Sequence, residues 1–129
     1  MKFFLDNNIS PRVARALHCL AQPAHSVVHL KDRFAADTPD VDWMNALAKE
    51  KDWIILSGDT AISRNPHEVE AWKRAGHPIF FLKSGWVHQP FWEHASRLCH
   101  LFPEIIKRAG KARAGDAFLV PFKGQIEDP

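Results

Sequence analysis

The chain has 129 residues, 46% of them apolar, 25% charged, and a formal net charge of +2. That length gives one domain that buries its own core without staples. No stretch reaches the roughly 20 apolar residues of a membrane span, and one Lys before an apolar run of three does not make a signal peptide. Cys19 and Cys99 lack the CxxC spacing of a redox or zinc motif and fall in apolar helical patterns, so buried free thiols in a reducing cytoplasm are expected.

The net charge says little; its distribution says more. Residues 97–113 carry Arg97, Lys107, Arg108, Lys111 and Arg113 against Glu104 alone. That surplus suits phosphates, or a solvated helix end where cations offset the dipole.

In chain order, KFFLD (2–6) reads as a strand. Ser10 and Pro11 then form a cap and first helical position. Val13, Ala16, Leu17, Leu20 and Ala21 recur at helical spacing, and Pro23 ends the helix. HSVVHL (25–30) reads as a second strand. Thr38-Pro39 repeats the cap-plus-proline start, with Val41, Met44, Leu47 and Ala48 as the apolar face up to about Glu50. WIILS (53–57) is a continuous apolar run, as in a strand buried on both faces of a parallel sheet; Gly58-Asp59-Thr60 follows. Asn65 with Glu68 three residues on is close to a capping box, and Gly76 ends that helix. PIFFL (78–82) is another buried strand. Residues 90–109 are helical, with Pro103 predicting two pieces. AFLV (117–120) adds a last strand, and the tail from Lys123 reads as loose. Regular alternation of strand and helix predicts a single three-layer α/β/α sandwich over residues 1–122, with a mostly parallel central sheet.

Ligands of open α/β sheets bind outside the carboxyl ends of the strands. Asp6 ends the first strand there and Asp59 follows the third. Asp40, in the first turn of the helix leading into the third strand, lies at the same end. Carboxylates gathered on one edge repel unless a cation joins them. A set of oxygen ligands without Cys or His favours Mg²⁺ or Mn²⁺ over zinc. Each acid also has an ordinary use: Asp6 and Asp59 as turn formers, Asp40 and Asp42 at a helix N-terminus, Glu68 as a cap partner.

LDNN before a Ser-Pro-capped helix, then DTPDVDWMNALAKEKDWIILSGD, then ISRNPHEVEAWKRAG, resembles the PIN-like nuclease families. The likeness covers residues 1–85 and is closest to the branch grouped with VapC-type toxins. It implies Asp6, Asp40 and Asp59 as the catalytic and metal-binding set, holding Mg²⁺ or Mn²⁺. Asn7, Thr60, Arg64 and Glu68 become supporting residues. The activity implied is hydrolysis of RNA phosphodiester bonds, leaving 5′-phosphate and 3′-hydroxyl ends. A toxin of this kind also implies an antitoxin partner and a homodimer. Arg12, Arg15, Arg64 and Lys83 become contacts to the RNA backbone, or ordinary surface charge. One departure stands out. Many PIN domains carry a fourth acid two residues after the third, where this chain has Ala61; Glu68 supplies one only if its loop folds back.

Other chemistries find less support. None of the eight histidines forms HExxH or a Cys-paired zinc pattern, and His25 and His29, on one face of the second strand, lack ligand partners nearby. No GxSxG or phosphate-cradling glycine loop occurs. A phosphoacceptor domain would need paired early acids where Asn7 and Asn8 follow Asp6. The remaining rival is a PIN-like domain with a degenerate site that binds protein or RNA without cutting.

Overall fold

The computed structural model describes all 129 residues. Five strands alternate with four helices: β1 (Lys2–Leu5), α1 (Pro11–Ala21), β2 (Ser26–His29), α2 (Asp40–Ala48), β3 (Trp53–Ser57), α3 (Pro66–Ala75), β4 (Ile79–Leu82), α4 (Phe91–Ala109) and β5 (Ala117–Val120). Single 3-10 turns follow β2, β3 and β4, at Leu30–Asp32, Ile62–Arg64 and Ser84–Trp86.

The sheet runs β2-β1-β3-β4-β5, and every pairing is parallel. Strand side chains alternate between two cores, as a period of two requires. Phe3, Leu5, Ile54, Leu56, Phe80 and Leu82 face the layer that holds Val13 and Leu17 of α1 with Leu98, Phe102 and Ile105 of α4. Phe4, Ile55, Ile79 and Phe81 face Trp43, Met44 and Leu47 of α2 with Ala71 and Trp72 of α3. Both faces of the sheet are thereby covered, which is why β3 and β4 are buried throughout and, Ser57 apart, apolar instead of alternating.

Several helix boundaries follow their signals. Ser10 Oγ accepts from the Arg12 N–H with Pro11 at the first position, and Gly76 closes α3 at φ 76°, left-handed backbone that glycine enters without strain.

Other expectations need correction. In α1, Ala14 is buried instead of Ala16, and Leu20 is 73% exposed. Cys19 is exposed and Cys99 half-buried; both are free. Thr38 does not cap α2, because its hydroxyl donates to the Ala35 carbonyl and Pro39 takes the cap position. Helix α2 stops at Ala48, which is exposed, while Trp43 joins its buried face. Helix α4 is one piece. Pro103 lies on its exposed side, while Leu98, Phe102, Ile105 and Ala109 hold a single axis against the sheet on both sides of it. The tail is docked: Ile126 is buried, Glu127 bridges backbone to backbone with Leu119, and Asp128 pairs with Arg108.

Candidate active site

Because β1 and β3 are neighbours, the two acids that follow them meet at the carboxyl edge of the sheet. Asp6 extends the ladder by one bond, its N–H reaching the Leu56 carbonyl at 3.1 Å. Its carboxylate is 2% exposed and enclosed by donors. Oδ1 accepts from the Asn8 and Gly58 N–H groups, each at 3.1 Å, and Oδ2 accepts from Ser57 Oγ. Burial pushes its pKa up, while those three donors oppose the rise and the Asp59 charge adds to it. Gly58 lets the two loops cross closely: a Cβ there would stand 3.1 Å from Asn8 Cβ and 3.3 Å from the Asn8 carbonyl oxygen, so Asn8 would have to give by a few tenths of an ångström.

Ser57 joins the two acids. Its hydroxyl donates to Asp6 and accepts from the Asp59 N–H at 3.1 Å. Asp59 in turn fixes its own loop, with Oδ1 accepting from the Ala61 N–H at 2.9 Å. Its carboxylate sits within hydrogen-bonding reach of Asp40.

Asp40 occupies the first position of α2, and Trp43, one turn on, donates its indole N–H to Asp40 Oδ1 at 2.9 Å. Burial, with Asp59 and Glu68 beside it, pushes the Asp40 pKa up to about 7 against the single opposing bond from Trp43. Glu68 reaches the same place from the first turn of α3. Asn65 caps that helix by accepting from the His67 and Glu68 N–H groups. The Glu68 side chain does not return the bond, since the Asn65 N–H goes to the Ala61 carbonyl. It turns inward to Asp40 instead, leaving Oε2 buried with no hydrogen-bond partner. Burial first, then the Asp59 charge, raises its pKa.

The structure therefore gathers Asp40, Asp59 and Glu68, with Asp6 held behind Asp59 in a closed cage. An all-carboxylate set with a buried, unpartnered oxygen fits a hard divalent cation in its donor chemistry. As they stand, no three of these side chains form a ready-made cage for an ion; ligation needs side-chain rotation at Asp40, Asp59 or Glu68.

The remaining sequence-derived residues are more dispersed. Asn7 donates to the Ala36 carbonyl at 2.9 Å. Arg64 bends back to the Thr60 carbonyl, at 3.3 Å from Nε and 3.2 Å from Nη2, so both stay on the Asp59 loop. The Arg12 guanidinium lies over the Phe91 ring, 4.1 Å from its centroid. Arg15 is exposed on α1. Lys83 is paired with Glu127 at 3.0 Å. The basic run ends at the opposite edge of the sheet from the acids, and Arg97 and Arg108 are tied to the Phe122 carbonyl and to Glu104 with Asp128. His29 is buried, bonded through Nε2 to the Ile9 carbonyl at 2.6 Å and accepting from the Lys31 N–H at Nδ1. His25 meets the chain's own amino terminus at 2.9 Å.

Beside Asp59 opens a cleft of about 550 Å³, lined on one side by Asn8, Ser10 and Thr60 and on the other by Trp86, Gln89, Phe91 and His94.

The site roles missed in the sequence are those of Ser57 and of Trp43, the last residue of the TPDxxW stretch that helps carry the resemblance. A signal existed for each: a lone hydroxyl ends an otherwise apolar strand, and the Asp40–Trp43 spacing of three puts both on one helix face.

The chain belongs to the PIN-like domain family: the family model, described as a PIN-like domain, matches residues 1–84 of 129. No curated protein and no solved structure matches it. PIN-like domains are commonly nucleases, and the matched segment contains Asp6, Asp40, Asp59 and Glu68.

Proposed function

We propose that this chain is a Mg²⁺- or Mn²⁺-dependent endoribonuclease, and the toxin of a toxin–antitoxin pair acting in the cytoplasm. The observation that carries the nuclease reading is the meeting of Asp40, Asp59 and Glu68, with one Glu68 oxygen buried and unpartnered. Asp40, Asp59 and Glu68 would hold the cation. Bound there, it would offset the developing charge on phosphorus and lower the pKa of water.

The chain's own residues do the rest. Asp6 takes its three bonds from Ser57, Gly58 and Asn8 and so fixes the β1 and β3 loops against each other. Ser57 sets the start of the Asp59 loop through the Asp59 N–H. Trp43 holds Asp40 toward Asp59. Glu68 would supply the fourth carboxylate that is absent at Ala61. Arg64, exposed on the Asp59 loop, would turn from the Thr60 carbonyl to meet a phosphate of the incoming strand.

Purified protein with Mn²⁺ is expected to cut single-stranded RNA, to stop on addition of EDTA, and to lose on the order of 10²-fold or more in kcat/KM as Asp59→Asn. Absence of cleavage by wild type, or full activity in Asp59→Asn, would remove the reading. The toxin setting, with its antitoxin and homodimer, rests on the resemblance of residues 1–85. Induced expression should arrest growth in wild type and not in Asp59→Asn.

A further inference from the structure

The cleft beside Asp59 plays no part in holding the acids together. Its volume of about 550 Å³ falls within the roughly 300–1,000 Å³ of small-ligand sites. Its first wall comes from residues inside the family match, its second from residues after position 84, outside it. The second wall therefore lies outside the matched segment.

That wall is aromatic and fixed. Trp86 is buried and donates its indole N–H to the Val120 carbonyl at 2.9 Å, so its ring does not turn. His94 packs on it edge-on, with ring centroids 5.0 Å apart. Phe91 is half-buried and carries the flat Arg12 guanidinium. Between the walls stand polar groups with unused capacity. Gln89 spends its Nε2 on the Gly85 carbonyl at 3.0 Å and keeps Oε1 free. The side chains of Asn8 and Thr60 hydrogen-bond to no other residue.

The chemistry of the lining selects the occupant. Its one carboxylate, Asp59, is the proposed cation ligand, and no Lys or Arg lines the cleft. The rest of the lining is uncharged side chains and aromatic rings, with free hydrogen-bonding groups at Asn8, Thr60 and Gln89, which suits a neutral, flat group with a hydrogen-bonding edge of its own. Such a group reaches the cleft only if splayed from a stack, which single-stranded RNA permits and a duplex does not.

We propose that the cleft walled by Trp86, Gln89, Phe91 and His94 receives one unstacked nucleobase of a single-stranded RNA, adjoining the phosphodiester presented to Asp59. The proposal rests on the ribonuclease reading. It makes this wall the source of whatever base preference the cleavage shows.

The test uses the full chain and two probe sets. Nucleoside 5′-monophosphates and ribose 5-phosphate are titrated while the Gln89 and His94 side-chain resonances are followed. Separately, a single-stranded RNA carrying one abasic residue, moved position by position, is offered for cleavage with Mn²⁺. The nucleotides should shift both resonances and bind on the order of tenfold more tightly than ribose 5-phosphate. One abasic position beside the cut should raise KM by about the same factor. Phe91→Ala should reproduce that rise with kcat little changed, and Gln89→Ala, at a half-buried position, should leave the melting temperature unchanged and alter which base is preferred. Equal binding of nucleotides and ribose 5-phosphate, or cleavage indifferent to every abasic position, overturns the proposal while cleavage itself leaves the ribonuclease reading standing. Nucleotide binding in the cleft without any cleavage of RNA does the reverse.

Discussion

Asp6 and Asp59 are the same residue type on neighbouring strands, yet their carboxylates have different work. Asp6 is the acceptor for three donors, the buried Ser57 hydroxyl and the part-buried Asn8 and Gly58 N–H groups, and removing it takes that partner from all three. Asp6→Ala is therefore expected to cost about 2–4 kcal/mol of stability, read by urea denaturation. Asp59→Asn should cost far less, because its carboxylate is half-exposed and secures only its own loop. The pH dependence belongs to Asp40. Its unfolded form releases a proton near 3.8, and its folded form holds it to about 7. Between those values the unfolded state binds fewer protons, so stability in EDTA should fall as pH rises through that window. Asp6 and Glu68, also raised, act in the same direction. Asp40→Asn should flatten the melting temperature against pH; an unchanged slope would locate the effect elsewhere. The sequence made the three aspartates legible because each follows a strand or opens a helix. Glu68 was harder to read, because its spacing from Asn65 fits a cap equally well and only tertiary packing turns the side chain inward.

At the scale of elements, the strands were the most legible, since continuous apolar runs such as WIILS have nowhere to go but a doubly covered sheet. Helix starts were legible where a Ser or Asn side chain was free to cap, at Ser10 and Asn65. The start at Thr38 misled because its hydroxyl is taken by the Ala35 carbonyl. Pro103 misled in the other direction: it removes one helical hydrogen bond, but four buried residues on the same face outweigh that local loss. Pro103→Ala should accordingly raise stability, by about 1–3 kcal/mol, with α4 otherwise unchanged. A loss of stability there would mean the proline ring contributes packing of its own.

For the whole molecule, strand order decides everything about the site. With β1 central between β2 and β3, Asp6 lies beside the Asp59 loop, and α2 and α3 pack together on one face to bring Asp40 and Glu68 to the same edge. Alternation of elements predicted the layers, but order and register come from long-range packing that no local spacing encodes. The docked tail was illegible for the same reason: Ile126 is one apolar residue in a polar stretch, and its partners lie far away in sequence. The central claim is that Asp40, Asp59 and Glu68 together take a divalent cation. The most direct measurement is the melting temperature of wild type, Asp59→Asn and Glu68→Gln as Mn²⁺ is titrated at pH 7.5. A rise in wild type, reaching the equivalent of about 2.7 kcal/mol at roughly a hundred times the dissociation constant, lost in Asp59→Asn and weakened in Glu68→Gln, would bear the claim out. No rise in wild type, or an equal rise in all three, would contradict it.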